Sequence, residues 1–329
     1  MSINRILWQD KPGVPGVVRE GPIPTQLEDH QIRIKVRSWA LNPADAILQD
    51  QALGHWTYPI ILGQDVAGIV EAVGSTAASK FNIGDRVFGF SVNNGFQDYV
   101  TLDHTLAAKI PESVSFSEAC VFPLCMTTSS FGLFGKDYLG LPFPSLNPTG
   151  TGKTVLVWGG SSAAGSNGIQ FAKAAGFDVI TACSPRNFEY VKGLGAREAF
   201  DYNSSSVVKD IVAGLDKGTC AGIYVAAGDS KDACLIAHMS KDKPSVSSSV
   251  PIKPGYAPEG VNAKMVFGKS FDETLPVTFG GYMVEALAKG VYKIAPSPKI
   301  VSTKGVEGIQ EALDILKKGV SAQKLVVEG

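Results

Sequence analysis

Apolar and polar positions change rhythm along this chain, and the changes divide it. Residues 31–38 (QIRIKVRS) alternate, the period of a strand with one face on a core and one in solvent. Segments 65–73 (DVAGIVEAV), 85–89 (DRVFG) and 97–102 (QDYVTL) read as further short strands bounded by turns, which predicts a compact, mostly β first third. Near residue 117 the pattern shifts. Residues 117–133 predict a helix, or two broken at Pro123, and a Pro/Gly-rich loop over 139–152 follows. Residues 154–158 (TVLVW) form an unbroken apolar run, as in a strand covered on both faces. A Gly/Ser-rich turn leads into a helix at 165–175 and a second buried strand at 178–183 (DVITAC), so a βαβ unit and a parallel sheet are expected. A helix at 188–194, a strand ending at Phe200-Asp201, a helix at 206–215, and strands at 222–226 and 263–267 continue the alternation. The serine-rich stretch 245–249 reads as loop, and the tail predicts helices at 281–289 and 305–318 with a closing strand at 324–327.

A length of 329 residues suits two domains, and 44% hydrophobic residues can fill their cores. The 30 basic and 31 acidic residues leave a net charge of −1, which gives no field to attract nucleic acid or an anionic membrane. Residues 1–10 lack the basic start and apolar stretch of a signal peptide, and no run approaches the ~18 apolar residues of a membrane span. A cytoplasmic protein is therefore expected. The five cysteines, at 120, 125, 183, 220 and 234, have no paired spacing and read as free thiols in a reducing compartment.

The most informative chemistry lies in Trp158-Gly-Gly-Ser-Ser-Ala-Ala-Gly165-Ser-Asn-Gly168. It follows a buried strand and opens a helix, the context in which backbone N–H groups and a positive helix end receive a pyrophosphate. The fingerprint G-x-G-x-x-G is imperfect: Gly160 and Gly165 fit the outer positions, and Ser162 takes the middle one. An NAD site places an acid ~20 residues further on, for the ribose 2′-hydroxyl. Here Ser184-Pro185-Arg186-Asn187 stands in that place without an acid. Arg186 can meet a 2′-phosphate with a charged fork, and Ser184 and Asn187 add neutral donors, so NADPH is the expected cofactor.

With these residues the chain resembles the medium-chain dehydrogenase/reductase superfamily, on its zinc-independent quinone oxidoreductase and enoyl reductase side. The markers are Leu41-Asn-Pro-Ala-Asp45, Gly63-Gln-Asp-Val-Ala-Gly-Ile-Val70, Gly84-Asp-Arg-Val-Phe-Gly89, the glycine turn, Leu194-Gly-Ala196 and Gln323-Lys-Leu-Val-Val327. Trp158-Gly-Gly-Ser-Ser and Ala182-Cys-Ser-Pro-Arg-Asn187 look like the fungal trans-acting enoyl reductases of polyketide pathways. The resemblance implies an α/β fold: a GroES-like β domain (1–122, completed by 269–329) and an inserted Rossmann domain (123–268) with a doubly wound parallel sheet. Cofactor and substrate are then expected in the cleft between them.

Zinc-dependent members hold their catalytic metal with a cysteine and a histidine where this chain has Asn42 and Gln64, neither a good ligand for zinc. No metal is therefore expected. Without a Lewis acid, the more accessible reaction is hydride transfer to the β-carbon of an α,β-unsaturated carbonyl, with fixed donors on the enolate oxygen. By resemblance, Pro43, Ala44, Asp45 and Thr128 lie beside the nicotinamide. Gly160, Ser161, Ser162, Ala163 and Ala164 lie on the pyrophosphate. Ser184, Pro185, Arg186, Asn187 and Tyr202 surround the 2′-phosphate, and Phe267, Leu325 and Val326 flank the nicotinamide amide. Asn42 is the candidate catalytic polar group, with capping of the turn before Pro43 as its structural alternative.

Phe279 and Gly280 are candidates for the substrate end, to which 131–141 and 279–283 are expected to contribute. Leu53 stands where many such reductases carry a proton-donating Tyr, leaving water, Tyr58 or His55 as donors. The partner is expected to be a small molecule, a carrier-bound enoyl thioester among the candidates, acted on by a monomer or homodimer. Quinone or carbonyl reduction with the same cofactor, or NADPH binding without catalysis, are the alternative functions.

Overall fold

The computed structural model describes residues 3–51, 56–267 and 273–329. The chain begins with β1 (Asn4–Gln9), β2 (Val17–Gly21), β3 (Gln31–Ala40), α1 (Pro43–Asp50), β4 (Ile60–Ile61), β5 (Asp65–Val73), β6 (Arg86–Phe90), β7 (Tyr99–Asp103) and β8 (Ala107–Lys109). Helices α2 (Phe116–Ala119) and α3 (Pro123–Phe134) follow. Next come β9 (Lys153–Trp158), α4 (Ala163–Ala174), β10 (Asp178–Cys183), α5 (Phe188–Gly193), β11 (Glu198–Asp201), α6 (Val207–Leu215), β12 (Thr219–Val225), α7 (Lys231–Met239), β13 (Val246–Ser248) and β14 (Ala263–Met265). The chain closes with α8 (Thr274–Val277), a π-helical turn over Thr278–Tyr282, α9 (Met283–Ala288), β15 (Pro298–Ile300), α10 (Gly308–Lys317) and β16 (Lys324–Glu328).

Two compact units result: Met1–Leu124 with Leu287–Gly329, and Cys125–Ala286. In the first, among the described residues, β2-β1-β4 form a three-stranded sheet, and a seven-stranded sheet runs in the order β15-β16-β3-β5-β6-β8, with β7 also on β3. The alternation read at 31–38 sends Ile32, Ile34 and Val36 into the core beside Trp39, Val66, Val87 and Val100. The tail strand β16 joins this sheet antiparallel to β3, with Val326 opposite Ala40. Helix α10 adds Ile309, Ala312 and Leu313 to the same core, so the chain's two ends build one unit.

The second unit holds a six-stranded sheet among the described residues, in the order β11-β10-β9-β12-β13-β14, all parallel. The chain winds outward from β9 through β10 to β11, then returns to β9's other side as β12. That reversal makes the carboxyl end of β9 a topological switch point, where open α/β sheets bind ligands. The parallel sheet, with helices between its strands, matches the Rossmann expectation.

Several expectations change in detail. The stretch read as one or two helices is two: Pro123 opens α3, where its missing N–H costs nothing. The serine-rich stretch is not loop. Val246–Ser248 is strand β13, inside the sheet, its small buried side chains fitting the parallel layer; Ser248 Oγ donates to Val250 O at 2.7 Å, while Ser247 Oγ has no hydrogen-bond partner among the described residues. Strand β14 stops at Met265, before Val266 and Phe267. Residues 274–286, assigned from sequence to the returning tail, belong to the second unit, where the Tyr282 ring packs on Phe171 at 6.1 Å. All five cysteines are free and buried. No helix among the described residues is long and apolar enough to cross a membrane.

Candidate functional site

The glycine turn stands at the end of β9. Gly159 carries the positive φ of the turn, +79°, and an added Cβ there would lie 2.7 Å from Ala227 O. A Cβ at Gly160 would lie 2.0 Å from Thr181 Oγ1, and one at Gly165 2.3 Å from Gly159 O. The first allows the turn, the second lets it lie against β10, and the third lets the start of α4 pack onto it. Ser162 is the N-cap: its Oγ accepts from Gly165 N–H at 3.0 Å and donates to Gly159 O at 2.8 Å. Ser161, Ser162, Ala163 and Ala164 therefore sit where the N–H groups of the first turn of α4 emerge. A twelve-residue helix offers a positive end there to an anion. Sequence reasoning omitted Gly159, although a second consecutive glycine after a strand signals a positive φ.

Next along the sheet, β10 ends at Cys183, and Ser184 caps a short turn over Pro185–Asn187. Ser184 Oγ and Tyr202 OH are hydrogen-bonded at 2.9 Å. Asn187, buried, donates from Nδ2 to Ser161 Oγ at 3.1 Å, which ties this turn to the glycine turn. Arg186 is exposed and makes no ion pair among the described residues. The sequence reading missed one acid. Asp201 ends β11 directly opposite Cys183, and its negative charge helps burial push the Cys183 thiol up to about 11. Its Oδ1 is turned onto Asn203, accepting from the backbone N–H at 3.0 Å and from Nδ2 at 3.2 Å. An acid from the neighbouring strand was invisible to a rule that counts residues along one strand.

The first unit holds a different cluster. Asn42 precedes α1, and its backbone N–H donates to Asp45 Oδ2 at 2.8 Å, so Asp45 grips the turn it follows. Asp45 is buried, and its Oδ1 finds no hydrogen-bond partner among the described residues. Burial, with the negative charge of Asp65 added, pushes this carboxyl up to about 7 against the hydrogen bonds from Asn42 and the charge of Lys324. Asp65 opens β5 and uses both oxygens. Oδ1 accepts from Leu124 N–H at 2.7 Å; Oδ2 accepts from Asn42 Nδ2 and from Lys324 Nζ, each at 2.9 Å. Lys324 Nζ also donates to Asn42 Oδ1. Sequence reasoning named Asn42 and Asp45 here but neither Asp65 nor Lys324.

Of the other named residues, Thr128, Phe267, Phe279 and Gly280 belong to the second unit and Leu325 and Val326 to the first. Thr128 lies half-buried in α3. Phe267 is exposed, and its backbone is occupied: its N–H donates to Tyr138 OH at 2.8 Å, and Tyr138 OH donates to its carbonyl at 2.9 Å. The carbonyls of Leu325 and Val326 accept from Leu41 and Val301 N–H groups, each at 3.0 Å. Phe279 is buried and Gly280 is open to solvent. A cavity of about 450 Å³ in the second unit is lined by Phe131, Phe134, Gly135, Lys136, Asp137, Tyr138, Phe267, Glu273 and Thr274, so the 131–141 stretch faces it. Tyr58 donates to Leu48 O at 3.3 Å, while Leu53 and His55 lie outside the described residues.

Residues 28–112 match the alcohol dehydrogenase GroES-like domain. The chain is 43% identical to a dehydrogenase (orf1) of Aspergillus niger, over 95% of this chain and 97% of that one. It is 36% identical to the trans-enoyl reductase himH of Aspergillus japonicus, over 99% and 97%. Its fold is similar to the structure of a quinone oxidoreductase from Coxiella burnetii, with a TM-score of 0.74 at 21% identity and complete coverage of both chains.

Proposed function

The chain belongs to the medium-chain dehydrogenase/reductase family, and from that premise we propose that it is an NADPH-dependent enoyl or enone reductase that uses no metal. The observation that carries this reading is the turn at the end of β9, where Gly159, Gly160 and Gly165 let the chain fold tightly against β10 and the start of α4, so that the N–H groups of the helix's first turn stand at the sheet's switch point. Gly160 to Ala164 would hold the pyrophosphate, and Ser184, Arg186, Asn187 and Tyr202 the 2′-phosphate. In the first unit, the Pro43–Asp45 turn takes the nicotinamide end. The relative named trans-enoyl reductase supports reduction of a C=C bond.

The donor set does not fit a catalytic zinc. Asn42 and Gln64 offer neutral amides, the Asn42 amide is bonded at both ends, and the Lys324 ammonium beside it would repel a dication. Burial also pushes the nearby Cys120 thiol well up, which keeps it protonated. No step here uses a metal. When bound, the coenzyme supplies hydride to the β-carbon of a small unsaturated substrate, a carrier-bound thioester being the favoured form. The protein's part is to fix geometry and to place donors where the carbonyl oxygen gains charge.

The direct test is reduction of an α,β-unsaturated thioester with deuterium-labelled NADPH. The label is expected on the β-carbon of a saturated carbonyl product; label on the carbonyl carbon would establish carbonyl reduction instead.

Coenzyme choice gives a second expected result. NADPH should bind at least tenfold more tightly than NADH, about 1.4 kcal/mol. Tyr202→Phe, which removes the hydroxyl paired with Ser184, should weaken NADPH alone. Asp201→Asn should tighten NADPH by roughly two- to fivefold, a small change because solvent screens this exposed edge. Titration of both coenzymes against the three proteins measures this, and equal wild-type affinities would contradict it.

A further inference from the structure

Among the described residues, the buried Asp, Glu, Lys and Arg side chains number three, Asp45, Asp65 and Lys324, and all lie in the first unit around Asn42, with Asp65 and Lys324 as an ion pair. Burying ions is costly, and a buried pair adds little stability over apolar groups of the same size. Their gathering at the turn assigned to the nicotinamide therefore calls for a role beyond folding. We propose that Lys324 is a positioning residue of the coenzyme site: its ammonium fixes the Asn42 amide and, through it, the turn that receives the nicotinamide end. The inference rests on the coenzyme reading above.

The geometry leaves the Asn42 amide one orientation. An ammonium only donates and a carboxylate only accepts. With Lys324 Nζ on Oδ1 and Asp65 Oδ2 on Nδ2, the amide cannot turn over without losing both bonds. Lys324 Nζ and Asn42 Nδ2 also share the same oxygen of Asp65, each at 2.9 Å, so the three groups close a ring. The ring joins three distant stretches: the residue before α1, the first residue of β5, and the first residue of β16. Lys324 is followed at once by Leu325 and Val326, and Asn42 by Pro43, Ala44 and Asp45. The lysine thus ties together the stretches that the first unit contributes to the nicotinamide end. A side chain of equal length without charge could fill the space, but it could not hold Oδ1.

The test separates positioning from a structural ion pair. Lys324→Met alone strands the Asp65 carboxylate, so the decisive variant is Lys324→Met with Asp65→Asn, which removes both charges. Each protein is titrated with NADPH and with adenosine 2′,5′-bisphosphate, which carries the phosphorylated adenosine end and no nicotinamide. The double variant should melt near wild type, bind NADPH about tenfold more weakly, and bind the bisphosphate unchanged. Lys324→Arg, which keeps the charge, should recover part of the loss. Unchanged NADPH affinity in the double variant, or equal loss of both ligands, would overturn the inference. If the double variant does not fold, Lys324→Arg decides: weaker NADPH with unchanged bisphosphate supports positioning, and any other result overturns it. A wild-type protein that binds neither NADPH nor NADH removes the coenzyme reading and this inference together. Wild-type binding insensitive to residue 324 removes this inference alone.

Discussion

Gly165→Ala should destabilise the second unit and weaken NADPH binding strongly. A Cβ at 165 would lie 2.3 Å from Gly159 O and 2.6 Å from Gly160 Cα, both backbone atoms that cannot swing away. Alanine is favoured over glycine inside a helix by ~1 kcal/mol, but overpacking against fixed backbone costs roughly 1–3 kcal/mol. The start of α4 must then move off the turn. That breaks the cap in which Ser162 Oγ accepts from Gly165 N–H at 3.0 Å, and it re-aims the N–H groups meant for the pyrophosphate. Hydrogen bonds to a charged group are worth ~1.5–3 kcal/mol each, so loss of two would weaken NADPH by about 100-fold or more. Thermal melting and coenzyme titration measure the two effects. Gly193→Ala is the control, because a Cβ there meets nothing within 4 Å. If Gly165→Ala bound NADPH as tightly as wild type, the turn would not be the phosphate site.

Much of the second unit was legible because its elements announce themselves locally. The apolar runs that became β9 and β10 lie in mid-sheet, where both faces are covered, and the glycines between them have few other uses. The alternating run that became β3 declared its buried face in the same way. The first unit's charge cluster was not legible, for a physical reason. A lone lysine before an apolar strand reads as a solvated end, and Lys324 is buried only because partners at positions 42 and 65 meet it. Burial of a charge is a property of the assembled partners and has no periodic signature. Asp201 was missed in the same manner, since parallel pairing sets it beside Cys183 across strands. Strand β13 was misread because three short serine-rich residues lack the β-branched character of most strands, and their place is set by β12 and β14 on either side.

The pH dependence of stability should carry the mark of Asp45. Its carboxyl is pushed from an ordinary 3.8 up to about 7, chiefly by burial, and its unpartnered Oδ1 makes the ionised form costly. Between those values the folded chain keeps a proton that the unfolded chain has released. The stability this group contributes is therefore fully present below about pH 4 and lost as pH rises through about 7. At higher pH the fold carries a buried carboxylate in its place. Asp45→Asn retains an oxygen for the Asn42 N–H and removes the ionisation. The variant should gain on wild type by about 1–3 kcal/mol between pH 5 and pH 8, a range that allows for partial relaxation around the charge. Only the difference between the two proteins is diagnostic, because every other titrating group is common to both. Denaturant unfolding of each protein at several pH values in that range measures it. A difference that stays flat would place the Asp45 titration outside the window; one that shrinks would mean that the ionised carboxylate is the form the fold prefers.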